Sequence, residues 1–492
     1  MNRWSLVTAS LLWLTFCLSG APEPERTLAA EPAAESLPPK TALDDYVSRP
    51  DPHYSWKVVK EVRAEGFTAY VVDMKSQAWR TEREVDRTVW QHWLVVVKPD
   101  RVKFDTGFLL IGGGSNDRPP PERPEEMTVQ IALATNSVVA ELRMVPNQPL
   151  VFHGDGKRRH EDDLIAYTWD QFLKTGDPTW PARNPMVKSA VRAMDTVEAL
   201  MASERGGEIA VNEFVVAGGS KRGWTTWLTG AVDPRVVAIV PIVIDVLNVD
   251  ASMRHHFAAY GFWAPAIDDY EHHKIFQQMD NPKLRALYRL VDPFYYRHRL
   301  KMPKYIVNAA GDQFFLPDSS QFYLDRLEGE KHLRYVPNGD HGLDDTDAVE
   351  TIVAFYRMIL TGTPRPEYSW TLGPDGSIRV KTAQRPAAVN LWQATNPDAR
   401  DFRVETLGRK YTASPLEDQG GGVYVGKVEE PDQGWTALFV ELVYDIGGKL
   451  PLKLTTEVRV VPDTLPFADK PIPGTGEVSD QTLPSGGNAD SR

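Results

Sequence analysis

The sequence predicts an α/β protein, a mostly parallel sheet with helices on both faces, followed by a second, β-rich region. Three observations predict it. Short, continuously apolar runs such as Gly107-Phe108-Leu109-Leu110-Ile111 and Val236 to Ile244 have the character of strands buried on both faces. They alternate with stretches of helical period, the clearest being Met186 to Met201, where Val187, Ala190, Val191, Met194, Val197 and Met201 recur on one face. After Tyr368 the helical period stops, and β-type runs alternate with Gly, Pro and Asp turns. Strands alternating with helices imply a sheet covered on both sides, whereas many short strands in succession imply a small β-sandwich.

Taken in chain order, the N-terminus differs from the rest. Arg3 precedes an apolar stretch from Trp4 to Leu18, and Ser19, Gly20 and Ala21 follow as a cleavage site. This reads as a signal peptide over residues 1–21, and it is shorter than the roughly 20 apolar residues of a membrane span. The processed product is therefore expected in the periplasm or outside a bacterial cell, with no stable membrane span. Cys17, the single cysteine, lies in the segment to be removed, and Phe16 stands where a lipoprotein has a small residue. Without it the chain has no disulfide, no thiol nucleophile and no cysteine-based zinc site.

Residues 22–43, rich in Ala, Pro and Glu, read as a disordered linker. Residues 44–365 hold the α/β pattern. Tyr70 to Val72 and Trp93 to Val97 are strand candidates around turn signals such as Glu65-Gly66. Val129 to Thr135 reads as a helix, Val138 to Val145 as a strand, and Glu213 to Ala217 as a strand leading into a helix over Trp224 to Thr229. Tyr305 to Ala310 and Leu333 to Val336 are further strands, and Asp345 to Leu360 is an amphipathic helix. Two insertions rich in His, Trp, Tyr and Phe, residues 153–183 and 249–299, interrupt the alternation as candidate covers of a ligand crevice. Residues 366–465 form the expected β-sandwich domain, and the Gly, Pro, Ser and Asp-rich tail, 466–492, is expected to be disordered.

Composition sets limits on partners. Hydrophobic residues make up 42% and charged residues 25% of the 492, an ordinary globular balance. The formal net charge of −12, with no long Lys/Arg run, argues against a nucleic acid or an anionic membrane surface as partner.

The sharpest chemical signal is Val215-Val216-Ala217-Gly218-Gly219-Ser220-Lys221-Arg222-Gly223-Trp224, a strand running through a Gly-flanked serine into a helix. This is the nucleophile-elbow arrangement, in which a tight turn lifts Oγ above the sheet and the helix N-terminus faces the developing oxyanion. The usual G-x-S-x-G places its second glycine two residues after the serine; here Arg222 stands there and Gly223 comes one later. Asp312 follows the Tyr305 strand, and His341, in Asn338-Gly339-Asp340-His341-Gly342, follows the Leu333 strand. The order Ser220, Asp312, His341 is the chain order of α/β-hydrolases. In that arrangement Asp312 fixes the tautomer of His341, which takes the proton of Ser220. Asp245, at the end of the strand after the elbow, is a rival acid. The run Gly112-Gly113-Gly114 after the Gly107 strand resembles an oxyanion loop, with Gly113 or Gly114 and Lys221 as backbone donors. No Gly-Lys-Ser/Thr follows it, so no nucleotide site is expected. Neither His255-His256 nor His272-His273 sits in a metal-ligand motif, and no metal or other cofactor is implied.

Asp45-Tyr46-Val47, Pro50 to Trp56, Trp90 to Trp93, Gly112 to Asn116 and Gly218 to Trp224 together resemble the PhoPQ-activated pathogenicity-related family, over most of the chain beyond Leu43. The resemblance implies an α/β-hydrolase-like fold and export, and it implies no particular reaction. The residues themselves predict a secreted serine hydrolase, esterase or peptidase-like, working through an acyl-enzyme on a small-molecule, glycan or peptide substrate. The alternative is a secreted binding or signalling protein on the same scaffold, which Arg222, the acidic surface and the added β-region would fit.

Overall fold

A computed structural model describes residues 40–448 and 450–475. The expected signal peptide, residues 22–39 of the expected linker and residues 476–492 of the expected tail lie outside the described residues. The fold begins at helix α1 (Ala42–Ser48), whose Thr41 and Asp44 form a capping box. An antiparallel meander follows: β1 (Ser55–Ala64), β2 (Phe67–Ala78) and β3 (Val89–Pro99). The expected turn at Glu65-Gly66 joins the first two strands, Gly66 supplying a φ of +85° that a side chain disfavours. β1 is the sheet edge, and it turns Lys57, Lys60, Glu61 and Arg63 toward water along its length, which blunts pairing with other chains.

The centre is parallel. β4 (Thr106–Ile111) pairs with β5 (Val139–Leu142) on one side and β6 (Glu213–Gly219) on the other, with α2 (Glu126–Thr135) as crossover. β7 (Val236–Ile242), β8 (Lys304–Ala309) and β9 (Lys331–Val336) continue in order. Their apolar runs are buried on both faces, as the sequence required. The register aligns the carboxyl ends: Ile111 opposes Gly218, Gly219 opposes Ile242, and Ala309 opposes Val336. Residues just beyond these strands therefore emerge at one edge, where ligands of such sheets bind.

Helices cover both faces. The first insertion supplies α3 (Glu161–Thr175) and leads into α4 (Arg183–Ala202); α5 (Lys221–Val232) follows the elbow. The second insertion supplies α6 (Val249–Tyr260), α7 (Asp268–His272) and α8 (Pro282–Val291). α9 (Ala348–Thr361) buries Ile352, Phe355, Tyr356 and Met358 and ends at Gly362, a left-handed C-cap. Among the described residues no helix is long and apolar enough to cross a membrane.

The C-terminal region meets the sandwich expectation only in part. β10 (Tyr368–Leu372), β11 (Ile378–Thr382) and, further on, β14 (Val423–Gly426) form a small three-stranded antiparallel sheet. The remaining strands, β12 (Ala388–Asn396), β13 (Thr412–Pro415), β15 (Trp435–Tyr444), β16 (Leu452–Thr455) and β17 (Arg459–Val461), form no separate layer, because β16 pairs antiparallel with β9 and prolongs the central sheet. Only Thr455 and Leu333 are in register there, but side chains reinforce the seam. Thr455 Oγ1 accepts the Tyr335 N–H at 2.9 Å, and Tyr305 donates to the Lys453 carbonyl at 2.6 Å. Arg334, fully buried, pairs with Glu441 across the seam and with Asp347 at 2.9 Å. The physical reason is that β9 would otherwise leave its edge groups unpaired. Local alternation marks a strand but not its partner.

Candidate active site

Ser220 sits between β6 and α5 with φ 55° and ψ −126°, a conformation costly for a residue with a side chain. It is held from both sides: its N–H donates to Ile242 O at 2.8 Å, and its carbonyl accepts the Trp224 N–H at 3.0 Å. The glycines explain the shifted motif. A Cβ on Gly218 would lie 2.7 Å from Arg222 O, and one on Gly223 would lie 2.9 Å from both Gly218 O and Ile242 O. Gly219, by contrast, has open space. Strand and helix thus touch through Gly218 and Gly223, and a glycine at 222 is unnecessary. Trp224 N–H makes the first intrahelical bond, so the N–H groups of Lys221, Arg222 and Gly223 have no acceptor within the helix.

Asp312 and His341 meet. His341 Nδ1 lies 3.0 and 2.9 Å from the two carboxylate oxygens of Asp312, which is almost fully buried. Asp312 Oδ1 also accepts the Phe314 N–H at 2.7 Å, and Gln313 Oε1 accepts the His341 N–H at 2.8 Å. The Phe314 ring packs against the imidazole, centroids 4.1 Å apart. His341 Nε2 is buried and has no hydrogen-bond partner among the described residues, Ser220 included. The rival Asp245 is placed differently. It accepts from Tyr323 at 2.7 Å and from Tyr335 at 2.5 Å, and burial pushes its carboxyl up to about 8.

Arg222 has a definite task. Its Nε donates to Val145 O at 2.6 Å and its two terminal nitrogens hold Glu161 bidentately at 2.8 and 2.7 Å. Lys221 Nζ joins them, 2.8 Å from Glu161 and 3.0 Å from Asp162. Burial opposes ionisation of Glu161, but the Arg222 hydrogen bonds and the charges of Lys221 and Arg222 hold its carboxyl well below the usual range. Gln148 links this cluster to the glycine run, donating to Gly114 O at 3.1 Å and to Glu161 at 2.5 Å. A Cβ on Gly113 would come 2.8 Å from Arg222 Nη2, so that glycine makes room for the guanidinium. The Gly112 N–H is spent on Leu142 O. Gly113 and Gly114 stand beside Arg222 and Met144 and do not line the pocket described next.

Ser220 and Lys221 open onto a narrow pocket of about 50 Å³. Both insertions wall it, the first through Asp162, Trp169 and Arg183, the second through Met253, Tyr270 and Phe276 among others. Trp224 packs in the core, donating to Val291 O, and shows one face to the pocket.

The C-terminal segment braces the loops carrying Asp312 and His341. Val404 N–H donates to Gly311 O at 2.9 Å, Tyr411 OH to Ala310 O at 3.3 Å, and Tyr411 N–H to Asn338 Oδ1 at 2.9 Å. Arg400 pairs with Asp318 at 2.6 Å, and Asp318 also binds His255 of α6 at 3.0 Å. The second histidine of that pair, His256, accepts the Ala264 N–H, while His273 pairs with Asp163 at 2.8 Å. His272 lies on the surface with Asp268 and Asp269, their ligand atoms within 4.8 Å of one another. Sequence reasoning missed Glu161, Asp162, Arg183, Gln148 and the bracing segment, all distant in the chain from the motifs they serve. Phe314 and Phe315, two and three residues after Asp312, were within its reach.

A mostly parallel sheet flanked by helices thus carries a strained serine, an aspartate–histidine pair and a pocket walled by both insertions. The chain belongs to the PhoPQ-activated pathogenicity-related protein family, whose model matches residues 43–403. It is 41% identical over 458 residues to autocrine proliferation repressor protein A of Dictyostelium discoideum, covering 87% of this chain and 92% of that one. Among solved structures it is similar to acetyl xylan esterase 1 from Thermoanaerobacterium sp., at 13% identity and a TM-score of 0.45, over 65% of this chain and 93% of that one. It is also similar to a glucuronoyl esterase from Solibacter usitatus, at 14% identity and a TM-score of 0.37, over 63% and 86% of the two chains.

Proposed function

We propose that this protein is an exported serine hydrolase, esterase-like, acting through an acyl-enzyme. The observation that carries the reading is the pairing of buried Asp312 with half-buried His341, whose Nε2 is unpartnered at the same sheet edge as the strained Ser220. With its proton on Nδ1 toward Asp312, a neutral His341 has a lone pair on Nε2 and can act as base. The Ser220 hydroxyl rotates to Nε2 when substrate binds, a contact that unliganded sites often leave open. Oγ then attacks the substrate carbonyl and its proton passes to His341. The oxyanion is met by the Lys221 N–H and by Gly113 or Gly114, and collapse of the intermediate expels the leaving group with that proton. Water, activated by the same histidine, releases the acid. The substrate is a small-molecule, glycan or peptide ester or amide.

The test is labelling by a fluorophosphonate probe. Ser220 is expected to be modified, Ser220→Ala to abolish labelling, and Asp312→Asn to slow ester hydrolysis by about 10⁴-fold through the wrong histidine tautomer. Absence of labelling, or labelling that survives Ser220→Ala, refutes the reading. A second reading, a secreted signalling protein on this scaffold, is favoured by the relative named for repressing proliferation. It expects Ser220→Ala to leave the biological effect unchanged.

A further inference from the structure

We propose that the pocket beside Ser220 is the acyl subsite and selects apolar acyl groups larger than acetyl, flat aromatic ones best. The inference rests on the reading of Ser220 as nucleophile and adds the substrate class. Aromatic rings dominate the wall. Trp169 meets Trp224 edge-on at 5.9 Å, Tyr270 at 5.4 Å and Tyr288 at 6.0 Å, with Phe276, Phe314 and Phe315 completing the ring set. Such rings offer edges and faces to another flat group in the geometries aromatic pairs prefer.

The three charged residues in the wall are already engaged. Lys221 is paired with Glu161 and Asp162, and Tyr270 donates to Asp162 at 3.1 Å. Arg183 donates to Lys221 O at 2.9 Å and lies over Trp224, its Cζ 4.4 Å from the ring centroid. Two wall donors, Arg183 Nε and Trp169 Nε1, are buried without a hydrogen-bond partner among the described residues, too few to replace the water that a carboxylate or a sugar would lose here, which disfavours both. The side of attack follows from His341. It protonates the leaving group and is absent from the pocket wall, reaching it through Phe314 and Phe315. The leaving group therefore departs toward His341, and the acyl group is the part that fills the pocket.

The test is a 4-nitrophenyl ester series on the full chain: acetate, butanoate, hexanoate, phenylacetate and hemisuccinate. kcat/KM should rise about fourfold per buried methylene, so about sixteenfold from acetate to butanoate, and phenylacetate should exceed butanoate. Hemisuccinate should fall below butanoate. Val246→Phe, which adds a ring inside the pocket, should remove the phenylacetate advantage. Should that variant unfold in a thermal scan, Met253→Ala serves instead, and should shift the preference from butanoate toward hexanoate. A series that is flat or best with acetate, on an enzyme still labelled at Ser220, overturns the subsite and leaves the hydrolase standing. No labelling at Ser220 overturns both.

Discussion

The two glycines that press strand against helix at the elbow should dominate the response of that turn to mutation. An alanine at Gly223 would place its methyl 2.9 Å from two carbonyl oxygens, Gly218 O and Ile242 O, and 3.0 Å from Ile244 Cγ2. Two of those contacts are backbone atoms of β6 and β7, which are paired to each other and cannot retreat separately. Overpacking of this kind costs about 1–3 kcal/mol, and the rigid surroundings place Gly223→Ala at the upper end. Gly219 is the internal control, because a methyl there meets nothing within 4 Å and its φ is not in the left-handed region. Gly219→Ala should be neutral, or stabilising by about 0.4–1 kcal/mol through the unfolded chain. Arg222→Gly, which restores the commoner motif, should destabilise by releasing Glu161 and Val145 O. Urea unfolding followed by tryptophan fluorescence measures all three. Equal losses from Gly219→Ala and Gly223→Ala, or a gain from Arg222→Gly, would refute the shifted-elbow account.

Two other perturbations probe the ground behind the site. The Asp245 carboxyl, pushed up to about 8 by burial, keeps a proton in the folded chain that the unfolded chain releases above its ordinary value of 3.8. Its contribution is therefore fully present below that value and is lost as pH rises through about 8. Asp245→Asn removes the linkage, so its stability relative to the parent should increase by several kcal/mol between pH 4 and 8, and a flat difference across that range counts against the assignment. Arg400→Met leaves the buried Asp318 with His255 alone, and should cost about 3–5 kcal/mol in equilibrium unfolding. A loss below about 1 kcal/mol would mean that the pair contributes little to joining α6, the Asp312 loop and the C-terminal segment.

What the sequence determined by itself is what neighbours in the chain determine. Burial on both faces shows in the apolar runs of β4, β6, β7 and β8, and amphipathic period shows in α4 and α9, because each is a property of a single segment. The serine between Gly218-Gly219 and a helix, and the order of Asp312 and His341 behind it, are legible for the same reason. Tertiary structure decided everything that depends on which distant segments meet. It gave Asp312 rather than Asp245 to His341, since the two acids differ only in which strand end each occupies and what surrounds it. It turned Arg222 from a motif defect into the anchor of Glu161, 61 residues earlier in the chain. It joined β16 to β9, where an isolated sandwich had been the expectation, because an unpaired strand edge takes whatever complementary edge the chain brings to it. It also built the pocket wall from two insertions, whose aromatic content was visible but whose convergence on Ser220 required the folded chain.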